Sequence, residues 1–223
     1  MSIPKHFYLM VDTETCGTLD NAYVYDLGMA IVDRKGKVYA KYSFVIHEVF
    51  YGMPELMATD YYSNKLPQYF EDIATGKRTL VSFWLARKIA HALIKKWNCV
   101  AVVAHNARFD YNALNNTATT LGNGTTKLYF FPKIPIWCTL TMARQIYPNR
   151  PMYKRFCKEN GYLCSNGTPR LSAEILYRFI SGNNEFIESH TGLEDVLIEK
   201  EILTHILRQH KKIRKTYYKE KGG

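Results

Sequence analysis

Phe7-Tyr-Leu-Met-Val-Asp-Thr-Glu-Thr-Cys-Gly17 is the stretch from which the fold of this chain is read. The apolar run from Phe7 to Val11 meets two acids, Asp12 and Glu14. On an extended strand alternate side chains share a face, so these carboxylates project together from the strand's end. Like charges held so close repel each other, and a fold accommodates them when something positive sits between them. A hard divalent cation held by carboxylate oxygen is the usual solution. The sequence contains one Asp-x-Glu, and it closes the first hydrophobic strand. The plainer alternative is a solvated strand end with two surface acids.

Composition sets the frame around that strand. The 223 residues are 47% hydrophobic and 22% charged, an ordinary globular balance that supports one domain with a sizeable core, or two small ones. No apolar run approaches the roughly 20 residues of a membrane helix, and the N-terminus lacks the apolar stretch of a secretory signal. The expectation is an intracellular, cytoplasmic protein without a membrane partner. Cys16, Cys99, Cys138, Cys157 and Cys164 form no Cys-x-x-Cys and no zinc-like spacing, so all five read as reduced. A catalytic thiol at Cys16 is disfavoured because nearby carboxylates oppose a thiolate. The formal charge is +10. A basic protein that gathers acids in one place suggests a polyanionic substrate drawn to a cationic centre, although basicity alone also reflects solubility.

Along the chain, 22–32 and 37–46 are rich in Val, Ile and Tyr, and the Asp33-Arg-Lys-Gly36 turn between them predicts an antiparallel hairpin. Residues 48–78 are punctuated by Gly52, Pro54, Pro67 and Gly76 and suggest short helical pieces. Their aromatics, Phe50, Tyr51, Tyr61, Tyr62, Tyr69 and Phe70, could stack on bases, but packing into a core is the commoner fate. Helical spacing over 80–97 ends in Lys95-Lys96, which suits a helix C-terminus. The short apolar run 100–104 reads as a strand buried on both faces. Residues 128–131 read as a fifth strand, and 138–146, 152–160, 172–180 and 193–209 as helices. Strands first, then a helix crossing to a buried strand, then mostly helices gives an α/β domain with a mixed sheet. The expected domain is 1–210, followed by a basic tail over 211–223 with six Lys or Arg against one Glu. That tail is either a phosphate-contacting arm or a frayed, solvated end.

Three further residues join the opening acids. Asp110 follows the buried strand at the C-terminal edge of the sheet, where α/β proteins place their sites. Asp195 heads the last helix, and steps of three and four from it reach Ile198, Ile202 and Ile206, an apolar stripe. A carboxylate heading such a stripe is half-buried and needs a partner. His190 stands five residues earlier; within one helix the two side chains would diverge by roughly 140°. They converge only if His190 lies on a loop entering the helix, as Ser189, Thr191 and Gly192 suggest. An imidazole just outside a carboxylate–metal cluster is placed to take a proton from an attacking water. His105 and Asp110 share the same spacing, but His105 ends an apolar strand and reads as a packed, hydrogen-bonded imidazole.

The order of these motifs resembles the DEDDh exonucleases, the group that includes the proofreading subunit of bacterial replicative DNA polymerase. Asp12-Thr-Glu-Thr-Cys-Gly17 and His105-Asn-Ala-Arg-Phe-Asp110 are similar to that family's first and second motifs, and His190-x-x-x-x-Asp195 to its third. Cys138-Thr-Leu-Thr-Met-Ala-Arg144 resembles its segment after the fifth strand, with Cys138 where Asp usually stands. The segment 163–188 is longer than in compact members. The resemblance implies an RNase H-like fold with a central mixed five-stranded sheet flanked by helices. It also implies 3′→5′ hydrolysis of single-stranded DNA or frayed 3′ ends to nucleoside 5′-monophosphates. Asp12, Glu14, Asp110 and Asp195 would hold two Mg²⁺ or Mn²⁺ ions, and His190 would be the general base. Thr13 and Thr15 would lie beside the terminal nucleotide. Asn106 would brace the second motif or contact substrate, and Arg108 would meet a phosphate or pair with a structural acid. A polymerase or other replication protein is the partner such membership implies. An RNA or short-oligonucleotide exonuclease shares the chemistry. A non-catalytic nucleic-acid-binding module is the rival of another class, and the presence of all five chemical positions argues against it.

Overall fold

A computed structural model describes residues 6–58 and 64–218. Its centre is a sheet of six strands: β1 (Phe7–Gly17), β2 (Ala22–Asp33), β3 (Val38–Ile46), β4 (Thr79–Val81), β5 (Ala101–Ala104) and β6 (Ile136–Cys138), in the order β4-β3-β2-β1-β5-β6. β1, β2 and β3 are antiparallel neighbours, while β4, β5 and β6 each join parallel. The turn at Asp33 closes with Gly36 N–H donating to the Asp33 carbonyl at 3.0 Å, Gly36 taking a left-handed φ of 83°. Among the described residues the helices are α1 (His47–Phe50), α2 (Pro54–Met57), α3 (Leu66–Ala74), α4 (Phe83–Lys96), α5 (Arg108–Leu121), α6 (Thr139–Arg144), α7 (Pro151–Glu159), α8 (Ala173–Ser181) and α9 (Gly192–Arg208).

The two-residue period of the strands sorts the core into two layers. Leu9 and Val11 of β1 and Leu27, Met29 and Ile31 of β2 face α4 and α5. Tyr8 and Met10, with Ala30 and Val32, face α6 to α9. Asp12 and Glu14 continue the parity of Tyr8 and Met10, so they emerge on the face that α9 covers.

The sheet has six strands where five are expected from the sequence, and the difference has local causes. The 128–131 run is not a strand. Its backbone donors are taken by α5 side chains: Phe130 N–H by Asn115 Oδ1 at 2.8 Å and Leu128 N–H by Thr119 Oγ1 at 3.1 Å. Phe130 and Phe131 are nonetheless buried in the core. The strand forms after Pro135, at Ile136–Cys138. Thr79–Val81, partly read as the start of a helix, instead pairs with Phe44–Ile46. The helix begins at Phe83 because the Ser82 hydroxyl caps it, accepting from Leu85 N–H at 3.2 Å. Phe50 and Tyr69 are core residues, whereas Tyr51 and Phe70 are exposed; Tyr61 and Tyr62 lie outside the described residues. Residues 214–216 cover the free edge of β6: Cys138 N–H donates to the Lys215 carbonyl at 2.7 Å and Trp137 bridges Thr216. No helix of the described residues is long and apolar enough to cross a membrane. The five cysteines are free thiols, four of them buried and Cys164 exposed.

Candidate metal centre

Three separated segments meet at the C-terminal ends of β1 and β5. β1 brings Asp12 and Glu14. The turn after β5 brings Asp110 in the first helical turn of α5, and the start of α9 brings Asp195. The parallel pairing of β1 with β5 makes this convergence geometric, because both strands then end at the same edge. Asp110 Oδ1 accepts from the Thr13 hydroxyl at 2.9 Å, tying the second segment to the first.

Burial and mutual repulsion act on these acids together. Asp12 is held well above the usual carboxylate range by burial, then by the charges of Glu199, Asp110, Glu14 and Asp195. Burial pushes Glu14 up to about 8, with Lys65 pulling the other way. Asp110 is raised to about 7 by burial against the opposing bond from Thr13, and Asp195 to about 6 by burial. So many carboxylates cannot all be ionised in one place without added positive charge.

A divalent cation fits the donor set. Of the four expected ligands, Glu14 and Asp195 share one such group, with the His190 ring in place of Asp12 and Asp110: each of the three offers one ligand atom, and these lie within 4.8 Å of one another. Hard cations take oxygen ligands at about 2.0–2.6 Å, so two donors across one ion stand roughly 4–5 Å apart.

The entry to α9 explains how His190 and Asp195 converge. Thr191 is the N-cap, and its N–H donates to Asp195 Oδ2 at 3.0 Å. The Ser189 hydroxyl reaches Asp195 Oδ1 at 3.2 Å, so both carboxylate oxygens are fixed by the incoming loop. His190 adopts a left-handed φ of 50° between them, which turns its ring toward the acids instead of around the helix. It is exposed, and the Lys65 ammonium donates to its carbonyl at 2.5 Å. Partial burial, then Lys65, lowers its pKa, favouring the neutral imidazole.

The same helix start is seated on β2. Gly28 and Gly192 touch backbone to backbone: a Cβ on Gly28 would lie 2.1 Å from the Gly192 carbonyl carbon. Gly192 N–H donates to Asp26 Oδ2 at 3.1 Å. Asp26 also accepts from Tyr69 Oη at 2.7 Å and Arg78 Nη1 at 3.0 Å. Arg78, itself 1% exposed, reaches on to Asp72 at 2.9 Å and Glu194 at 3.1 Å.

His105 is a structural residue, as its position predicts. Its ring nitrogens meet Thr139 Oγ1 at 2.9 Å and the Leu171 carbonyl at 2.8 Å, and burial pulls its pKa down to about 4. Thr13 and Thr15 are buried, while Asn106 (φ 61°) and Arg108 are exposed beside the second motif. Arg108 has no ion-pair partner among the described residues. Cys16 is buried, and burial, rather than neighbouring acids, raises its thiol to about 11, which disfavours a thiolate.

Two acids near the centre escape the sequence reading. Glu199, one helical turn past Asp195, is 2% exposed and accepts from His105 N–H at 3.0 Å. The signal was an acid at four-residue spacing inside an apolar stripe. Glu188, raised to about 7 by burial and then by Asp195 and Glu174, sits in an aperiodic loop that gives no such signal.

No protein-family model and no curated protein matches the chain. Among solved structures it is similar to E. coli Exonuclease I in complex with a dA16 oligonucleotide, at a TM-score of 0.54 and 16% identity. The match covers 92% of this chain and 41% of that one, so this chain spans less than half of that protein's length. The likeness is one of fold: a six-stranded mixed sheet flanked by helices, RNase H-like as in that exonuclease.

Proposed function

We propose that this chain is a 3′→5′ exonuclease. It would hydrolyse phosphodiester bonds of single-stranded DNA or frayed 3′ ends to nucleoside 5′-monophosphates, using two divalent cations, Mg²⁺ or Mn²⁺. The observation that carries this reading is the meeting of Asp12, Glu14, Asp110 and Asp195 from three distant segments, with His190 in reach of Glu14 and Asp195. Asp12, Glu14, Asp110 and Asp195 would hold the ions. When bound, the ions supply Lewis acidity to the attacking water and the leaving oxygen.

The chain's own residues do the rest. The neutral imidazole of His190 accepts a proton from water as the water oxygen bonds to phosphorus. The bond to the 3′ oxygen breaks and its electron pair leaves on that oxygen. Ser189 and Thr191 hold the Asp195 carboxylate in place, and Thr13 does the same for Asp110. The fold relative is bound to a dA16 oligonucleotide, which supports a polynucleotide strand as the ligand class.

Digestion of end-labelled single- and double-stranded DNA and RNA, with Mg²⁺, Mn²⁺ or chelator, tests the proposal. The expected result is immediate release of a 3′-terminal mononucleotide from single-stranded DNA, abolished by chelator. Release from the 5′ end, products that ignore chelator, or activity confined to RNA would each overturn a stated part.

A further inference from the structure

We infer that a basic groove running away from the metal centre binds the single-stranded segment on the 5′ side of the scissile bond; this rests on the exonuclease reading. Two cavities, of about 760 and 550 Å³, share Asn106, Leu140 and Arg144 and so form one trough. It starts at the second motif, since His105 and Asn106 line one lobe and Asn106 and Arg108 the other. Arg144 stands where the lobes join. Arg170 lines the first lobe and Arg214, Tyr217 and Tyr218 the second, while among the described residues no acidic side chain lines either.

The four arginines, 108, 144, 170 and 214, are exposed, and none enters an ion pair among the described residues. Arg78 and Arg178, by contrast, are both paired with carboxylates. Four unpaired guanidinium groups around one trough repel each other and are matched by a chain of phosphates. Tyr218 is 39% exposed, and it and Tyr217 offer ring faces or edges on which bases stack irrespective of sequence.

The far wall is held in place before any ligand arrives. Gln145 Nε2 donates to the Arg214 carbonyl at 2.8 Å, and Arg214 N–H returns a bond to Gln145 Oε1 at 3.1 Å. The Lys215 ammonium lies 4.3 Å from the centroid of the Trp137 ring. The segment that carries Arg214 and Tyr217 is therefore fixed against β6 and α6, with its cation turned into the trough.

The test is binding of 5′-fluorescein oligothymidylates, from dinucleotide to dodecamer, in chelator, by anisotropy across a salt series. The full chain should bind more tightly as the oligomer lengthens. Substituting Arg144→Gln and Arg214→Gln together should flatten that length dependence and reduce the salt slope by about 1.4, at roughly 0.7 per phosphate contact on a single strand. Arg155→Gln, an exposed arginine outside the groove, should leave the slope as it is. A double variant that melts like the parent and keeps both the length dependence and the slope would overturn the groove, even if the enzyme cuts DNA. A chain that fails to bind oligothymidylate would overturn it too. Conversely, length- and arginine-dependent binding without cleavage in metal would leave the groove standing and remove the exonuclease reading.

Discussion

Removing divalent ions should make this protein progressively less stable as pH rises, and restoring them should reverse the loss. The sign follows from the site acids. Glu14, Asp110, Glu188 and Asp195 are raised to about 8, 7, 7 and 6 from ordinary values of 4.5 or 3.8. Over the interval between, the folded state binds more protons than the unfolded one, so stability falls with pH. The favourable contribution is complete below about 4 and is lost as pH climbs through 6 to 8. His105 acts the other way: its contribution is whole above 6.5 and is lost as pH falls through about 4. His105 and His190, both lowered, oppose these carboxylates only up to about pH 6.5; above it Asp110 and Glu188 carry the loss to about 7 and Glu14 alone carries it on to about 8.

Asp195 alone sets a scale. Its rise from 3.8 to about 6 corresponds to roughly 3 kcal/mol at about 1.4 kcal/mol per pH unit. For a chain of this length that is about 6–12 °C of melting temperature. An ion present at about a hundred times its Kd returns roughly 2.7 kcal/mol. The gain should be larger at high pH, because the ions displace protons from the same oxygens. Thermal melting in chelator and in Mg²⁺, at about pH 5.5, 6.5 and 8, reads both effects. A melting temperature in chelator that is flat or rising to pH 8 would refute the electrostatic argument. A Mg²⁺ gain equal at both ends of the range would refute the assignment of the ions to these acids.

Gly28→Ala should cost about 1–3 kcal/mol or more by overpacking and should lower turnover, since the new methyl meets the Gly192 backbone; parental melting and activity together would contradict the seating of α9 on β2. Arg78→Met strands the Asp26 carboxylate in the interior and should cost about 3–5 kcal/mol. Adding Asp26→Asn should recover part of that loss, and strictly additive denaturation free energies would argue against the pair. His190→Ala should reduce kcat by roughly 10²–10⁴-fold without moving the melting temperature, because His190 is exposed. His105→Ala should show the opposite pattern, with the larger loss in stability; a reversal in single-turnover and melting data would exchange the two roles.

Much of the site was legible because two periodicities pass through it. Tyr8 and Met10 set the parity that Asp12 and Glu14 inherit, and the wholly apolar run before His105 marked a strand ending at the same edge. The stripe Ile198, Ile202, Ile206 is buried as expected, yet Glu199 lies inside the same face and was hidden by it. Its four-residue spacing from Asp195 inside that stripe marks an inward-facing acid, but the carboxylates it meets emerge only once α9 is laid beside Asp12 and Asp110. The 128–131 run misled for a related reason. Two buried phenylalanines look like a strand, but Asn115 and Thr119 hold its backbone donors, and that contact comes from a neighbouring helix. Arg78 and Asp26 are 52 positions apart, and their pairing belongs to tertiary structure alone.

The register of the β1–β2 pair ties the candidate site to assembly of the sheet. Asp12 stands opposite Gly28 and Glu14 opposite Asp26. Two rows of one hairpin therefore hold the opening acids on one strand and the seat of α9 on the other. Gly28 admits the Gly192 backbone, and Asp26 binds its N–H, so the helix start that delivers Asp195 is referenced to the strand beside Asp12 and Glu14. A one-residue slip would turn the acids to the opposite face and separate Gly28 from Gly192 in the same movement. The arrangement of the centre is thus set by the pairing of neighbouring strands, and the buried Arg78 fixes it from the far side by joining Asp26 of β2 to Glu194 of α9.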